Sequence, residues 1–254
     1  MEVVHQRCAG IDISKKDAKV CVRVQGRGRR ATQQTVRTWG SMTGQILALR
    51  EQLVQQQVTL VVMEATGDYW KPFYYLFEDA DFETLLANPR RVRAIPGRKT
   101  DVSDAAWLAE LGAHGLVQGS MVPPEPIRRL RDLTRTRSAL THERSREYQR
   151  LEKLLEDAGI KLSSVASSLT LVSVRAMLEA LIGGERDPSV LADLARAQLR
   201  NKIPALNEAL LGRFTDHHGF LARLHLDLID RHDEAIADLT DRIEAMIVPF
   251  RGFR

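Results

Sequence analysis

Aromatic side chains are scarce in this 254-residue chain, at 6%, so extended base-stacking platforms are not expected. Cysteine is nearly absent. Cys8 and Cys21 form no Cys-x-x-Cys arrangement, which excludes a disulfide-stapled scaffold and a thiolate zinc site and leaves two buried thiols of a reducing compartment. Nowhere does an apolar run reach the ~18 residues of a membrane helix. The opening Met1-Glu2-Val3-Val4-His5-Gln6-Arg7 has no apolar stretch of the kind that marks a secretory signal. A soluble, cytoplasmic protein is expected. Hydrophobic residues make up 44% and charged residues 28%, enough apolar material for a real core. Leu, Ala, Arg and Glu are plentiful, which leans helical.

The net charge of +4 is unevenly spread. Residues 1–156 hold 25 Lys+Arg against 19 Asp+Glu, whereas residues 157–254 hold 12 against 14. The basic excess belongs to the first part, as a polyanion partner would require. Charge alone does not establish one, since many soluble proteins carry a basic half.

Residues 8–14 and 18–24 are short β-branched runs around Lys15-Lys16-Asp17, and they predict a hairpin. A Gly-Arg-rich turn at 26–30 leads to a third strand near 33–39. Ile46, Leu49, Leu53 and Val54 give helical spacing over 42–56. The nearly unbroken apolar run 58–63 predicts a buried central strand. A helix follows at 69–79 and a strand at 83–87. Asn88-Pro89 and Pro96-Gly97 bracket a basic loop, and Thr100 is a candidate cap for a helix over 101–115. Three antiparallel strands followed by alternating helices and strands is the order of the ribonuclease-H-like α/β fold.

Pro123-Pro124 marks a boundary. The expected division is residues 1–122, an α/β nuclease-type domain, and residues 123–254, an all-α region. That region begins with an Arg-rich helix over 126–157, continues with helices near 169–182 and 188–199, and ends with a long helix from about 205 or 219 to 247. In the last, Ile229, Ile236 and Ile243 recur every seven residues, with Leu239 and Met246 at the companion position. The stripe suits either a two-stranded coiled coil or an amphipathic helix packed within its own domain. His218, His225 and His232 share the seven-residue spacing. A zinc site prefers pairs four apart, so these histidines are expected at polar seam positions.

The acids carry the chemistry. Asp12 lies between isoleucines in the first strand, where a charge is costly unless paired or cation-bound. Glu64 follows the apolar central strand. Asp101 and Asp104, three apart at an expected helix start, share a face. Cleavage of a phosphodiester by two Mg²⁺ ions needs several carboxylates converging from separate elements, and these four supply them. Each also has a structural explanation when taken singly: helix-start acids for Asp101 and Asp104, a turn for Asp12, an ion pair for Glu64.

Gly10-Ile11-Asp12-Ile13-Ser14-Lys15, Met63-Glu64-Ala65-Thr66-Gly67 and Gly97-Arg98-Lys99-Thr100-Asp101-Val102-Ser103-Asp104-Ala105 together resemble the signature blocks of the IS110-type DEDD transposases of bacterial insertion sequences. Asn88-Pro89 and the run after Asp104 also match that family's style. The resemblance implies a RuvC-like nuclease domain, catalytic and metal-binding roles for Asp12, Glu64, Asp101 and Asp104, a two-Mg²⁺ cofactor site and a bacterial cytoplasmic location. It further implies a middle coiled-coil region over the helical stretch, DNA as substrate, a structured guide RNA and assembly into multimers, a dimer or higher through the helical region, which favours pairing of the Ile229–Met246 stripe with a second copy. Members continue into a C-terminal domain bearing a nucleophilic serine. This chain ends at Pro249-Phe250-Arg251-Gly252-Phe253-Arg254, where that domain is expected to begin, so complete strand exchange by this chain alone is not expected.

Arg90, Arg91, Arg93, Arg98 and Lys99 precede the Asp pair and are expected to meet phosphates first. Arg128, Arg129 and Arg131 head a second cluster, offset over 128–150 only by Asp132, Glu143 and Glu147. Three functions fit: a Mg²⁺-dependent transposase, a stand-alone junction resolvase using the same acids, and a catalytically silent nucleic-acid-binding or dimerisation fragment.

Overall fold

The computed structural model describes every residue except 1, 27, 29, 30, 97–102 and 249–254. The chain divides into two compact units, Met1–Val122 and Pro123–Arg254.

The first unit is built on a five-stranded sheet. Strands β1 (Arg7–Ile13) and β2 (Asp17–Val24) are joined by a tight turn, in which the Ser14 amide donates to the Asp17 carbonyl at 2.8 Å. Strand β3 (Gln33–Gly40) adds antiparallel to β2. Helix α1 (Thr43–Gln55) leads to β4 (Leu60–Glu64), which lies parallel to β1. Helix α2 (Trp70–Phe77) leads to β5 (Glu83–Ala87), parallel to β4. The sheet order is β3-β2-β1-β4-β5. This mixed topology is consistent with the ribonuclease-H-like arrangement expected from the sequence. Central position explains composition: all of β4 but Glu64 is buried, as for a strand covered on both faces.

Alternation along the strands separates two cores. Ala9, Ile11, Ile13, Val61 and Met63 pack with Ile46, Leu49 and Leu53 of α1 and with Phe73 and Phe77 of α2. Cys8, Leu60 and Val62 face the other way, against Leu108 and Leu111 of α4 (Asp104–Ala113). A Cβ on Gly10 would lie 2.1 Å from the Ala105 carbonyl oxygen and 2.4 Å from the Ala109 amide, and one on Gly112 would lie 2.7 Å from Cys8 Sγ. Glycine is therefore required on both sides of this contact. Burial pushes the thiols of Cys8 and Cys21 up to about 12 and about 11, against the lowering field of Arg23. They are inert packing groups.

The segment read as a basic loop contains a short helix, α3 (Pro89–Ala94). The Asn88 side chain accepts from the Arg90 amide at 2.9 Å, and Pro89 holds the first helical turn. Helix α4 begins three residues later than expected, with Ser103 as its cap, its hydroxyl accepting from the Ala106 amide at 3.3 Å.

Among its described residues the regular elements of the second unit are all helical. Helix α5 (Glu125–Asp157) is followed by short helices α6 (Leu162–Val165), α7 (Val172–Ile182), α8 (Pro188–Asp193) and α9 (Ile203–Ala209), then by α10 (Asp216–Ile247). Between α8 and α9 lies a single tighter helical stretch, Ala197–Lys202. Helices α5 and α10 run antiparallel against each other. His218 Nε2 lies 3.0 Å from Asp157, His225 Nδ1 lies 2.8 Å from Glu147, and Arg144 pairs with Asp233. Leu151, Leu155, Leu226 and Ile229 fall within a single core with α7 and α8. The seven-residue stripe of α10 thus has a partner inside its own chain. Ile229 and Ile243 are buried, while Ile236, Leu239 and Met246 are half-buried. Among the described residues no helix is long and apolar enough to cross a membrane.

Candidate metal centre and nucleic-acid interface

Strand register brings two of the four expected acids together. In the parallel pair β1–β4, Gly10 lies opposite Val62 and Ile11 opposite Met63. Continuing that register puts Asp12 beside Glu64 at the C-terminal ends of adjacent strands. Because alternate residues share a face, Asp12 follows Cys8 and Gly10, and Glu64 follows Leu60 and Val62. Both acids therefore lie on the sheet face covered by α4. Ladders end here: the Ala65 amide donates to the Ala87 carbonyl at 3.0 Å, and Gly67 at φ 56° turns the chain away towards α2. A left-handed conformation of this kind suits glycine.

Helix α4 brings the third acid to the same edge. Its C-terminal part packs at Cys8 through Gly112, and its N-terminal part packs at Gly10 through Ala105. The helix therefore runs opposite to β1, and its first residue, Asp104, arrives at the strand end that carries Asp12. Glu64 and Asp104 line one cleft of about 200 Å³ together with Arg93, Ile95 and Trp107. Asp12 and Glu64 are half-buried and Asp104 is exposed. Asp101, Arg98 and Lys99 lie outside the described residues. Among the described residues, no three His, Cys, Asp or Glu side chains form a ready metal-binding group. Asp12, Glu64 and Asp104 share an edge and a face without closing on one point. Their chemistry, hard carboxylate oxygen throughout, fits Mg²⁺.

The flanking cations are partly committed elsewhere. Arg90, Arg91 and Arg93 are exposed on or beside α3, and Arg91 donates to the Gln118 side chain. In the second unit, Arg129 pairs with Glu125, one turn away. Arg128 donates to the Pro123 carbonyl at 3.0 Å, and Arg131 is exposed. Sequence reading missed the two residues that set the site's geometry. Gly10 admits the helix, and Ser103 starts it. A glycine inside an apolar strand was the available signal for the first. It also missed Trp107, which lines the cleft with the acids.

The transposase family model for the IS110-type DEDD enzymes matches residues 9–160, more than half of the chain. The chain belongs to the IS110-type DEDD transposase family. The matched span takes in Asp12, Glu64 and both positions of the Asp-x-x-Asp block. No curated protein matches the chain significantly. Among solved structures, the resolvase of Fowlpox virus in complex with substrate Holliday junction DNA is 13% identical. The match covers 37% of this transposase-family chain and 65% of the resolvase, at a TM-score of 0.27. So distant a likeness decides nothing about activity.

Proposed function

We propose that this chain carries the Mg²⁺-dependent carboxylate centre of a recombinase that cleaves and exchanges DNA strands in transposition, with Asp12, Glu64, Asp101 and Asp104 as its metal-binding carboxylates. What supports the reading is one observation: Asp12 and Glu64 end adjacent parallel strands on the face to which α4 delivers Asp104. Asp12, Glu64, Asp101 and Asp104 would hold Mg²⁺, which would supply Lewis-acid polarisation of a phosphate when bound. The chain's own residues do the positioning. Asp12 and Glu64 are fixed by a buried sheet, which holds their oxygens without loop rearrangement. Asp104 stands in the first turn of α4, where the peptide dipoles favour an anion. Arg93 lines the cleft beside Glu64 and Asp104 and meets the incoming phosphate, with Arg90 and Arg91 close in sequence; Arg98 and Lys99 are proposed as phosphate contacts from the sequence alone. Arg128, Arg129 and Arg131 supply a separate basic cluster at the start of α5. On this reading the partners are DNA, a structured guide RNA and further copies of the chain, in a bacterial cytoplasm.

Thermal unfolding with and without Mg²⁺ tests the centre apart from turnover. At a hundred times its dissociation constant a ligand stabilises the folded state by about 2.7 kcal/mol. The wild-type chain gains this, and the variant carrying Asp12→Asn and Glu64→Gln does not. Cleavage of a branched DNA substrate falls with it. A Mg²⁺-dependent gain that survives in the double variant moves the metal elsewhere and sinks the assignment.

A further inference from the structure

A second groove lies on the sheet face opposite the carboxylates. Its floor is Val20, Val22 and Val24 of β2, whose alternate neighbours Cys21 and Arg23 face α4. Register carries the groove outward: Val20 lies opposite Arg37, Val22 opposite Thr35 and Val24 opposite Gln33. Trp39 closes one end of this β3 row. Arg7, Gln52 and Gln56 form the inner wall, and the Arg7 guanidinium donates to the Gln56 carbonyl at 2.6 Å. The volume is about 260 Å³. Helix α1 borders the groove through Gln52, with Gln56 at its end, and leaves Gln33, Thr35 and Arg37 of β3 exposed.

The composition of the lining selects a ligand. It holds two arginines and an aromatic ring but no carboxylate, and Arg37 meets no acid among the described residues. A flat ring beside fixed cations, over an apolar floor and among amide groups, is the combination that holds an unpaired nucleotide strand. The base stacks, the phosphates meet arginine, and amides satisfy base edges. A duplex keeps its bases stacked on each other and cannot use the ring. A protein partner would leave Arg7 and Arg37 needing acids.

We infer that the β2–β3 groove around Trp39, Arg37 and Arg7 binds a short unpaired nucleic-acid strand, independently of the carboxylate edge. The probes are fluorescein-labelled ten-nucleotide oligo(dT) and oligo(rU), with a blunt duplex as control, in EDTA so that no metal chemistry contributes. Trp39→Leu weakens oligomer binding about 5- to 150-fold, the worth of one base stack, and Trp39→Phe restores most of it. Arg37→Gln flattens the salt dependence by about 0.7 in log-log slope, one phosphate contact on a single strand. Duplex binding is unchanged in both. The variant carrying Asp12→Asn and Glu64→Gln binds the oligomers as wild type does, which separates this groove from the metal centre. Tighter binding of oligo(rU) than of oligo(dT) identifies the strand as RNA, and the reverse as DNA. Oligomer binding that is unchanged in Arg37→Gln overturns the inference, even if Trp39→Leu fails to fold. So does Trp39→Phe behaving like Trp39→Leu, which makes the ring a packing group. A change of sedimentation with unchanged oligomer binding overturns it in favour of a second copy of the chain.

Discussion

Helix α4 and the pair α5–α10 solve the same problem in opposite ways. Helix α4 lies so close to its sheet that the backbone of Ala105 and Ala109 meets the strand glycine Gly10, while Gly112 leaves room for the side chains of Cys8 and Val62. Helices α5 and α10 keep apart and fill the space with Leu151, Leu155, Leu226 and Ile229, lacing the rim with His225–Glu147, His218–Asp157 and Arg144–Asp233. The first contact has no slack, because interiors are close-packed and a methylene is felt. The second can repack, because aliphatic seams tolerate volume-conserving change. The close contact occurs where α4 brings Asp104 to the edge that carries Asp12 and Glu64. The tolerant one occurs where length and stiffness suffice.

The comparison is most sharply broken at Gly10. Valine there adds a Cβ and two methyls where the first carbon already meets the Ala105 carbonyl oxygen at 2.1 Å. Loss of about 3 kcal/mol or more is expected for the first unit, read by urea unfolding. The Mg²⁺-dependent gain in stability should disappear with it, because Asp104 moves with α4. A variant that keeps both its urea midpoint and its Mg²⁺ response would show that α4 packs with more slack than this contact allows. The helical seam should respond by degrees. Ile229→Ala, in the core, costs about 3 kcal/mol, and half-buried Ile236→Ala about 1 kcal/mol. Equal losses, dependent on protein concentration, would mean that a second copy covers the outer stripe. That outcome would restore the self-pairing that the heptad spacing also allows.

Much of the first unit was legible from period alone. The run Leu60–Met63 is apolar because β4 is covered on both faces, and the alternation in β1 and β2 follows from one core on each side. Helix starts were less legible. Thr100 and Ser103 are both good caps, and propensity does not choose between them; the close fit of Ala105 on Gly10 chooses Ser103. Asn88-Pro89 reads as the edge of a loop, and the structure shows a cap followed by a first-turn proline instead. The pairing of Asp12 with Glu64 depends on register between strands far apart in sequence, which no local pattern encodes. The stripe in α10 reports that one face is covered without naming what covers it. The β2–β3 groove escaped for the same reason as the acid pair: Arg37, Thr35 and Gln33 acquire meaning only once Val20, Val22 and Val24 lie opposite them.

The smallest effect concerns the charges that brace the helical unit. Arg175 donates two hydrogen bonds of 2.7 Å to Asp230 and one of 2.8 Å to Glu179, which Arg223 also reaches. Hydrogen bonding from Arg175 holds Asp230 below the usual carboxylate range. Burial pushes Glu179 up, but hydrogen bonds from Arg223 and Arg175 outweigh it, and the net direction is again down. Both acids therefore bind protons more readily in the unfolded chain. Their contribution is complete above the unfolded values near 4 and is lost as pH falls through that range and below it. The carboxylates are 35% and 48% exposed, so solvent screening keeps the contribution small, under about 1 kcal/mol. Arg175→Met should lower the urea midpoint of the helical unit slightly at pH 7, and the gap from wild type should narrow at pH 3. In the first unit, Arg23 is 5% exposed and bonds Glu110 at 2.7 Å, and burial of the cation makes its loss costlier. Arg23→Met should therefore exceed Arg175→Met in effect at pH 7. If the Arg175 gap instead widens on acidification, the paired acids are not what stabilises this face of the helices, and its stability rests on the Leu and Ile seam alone.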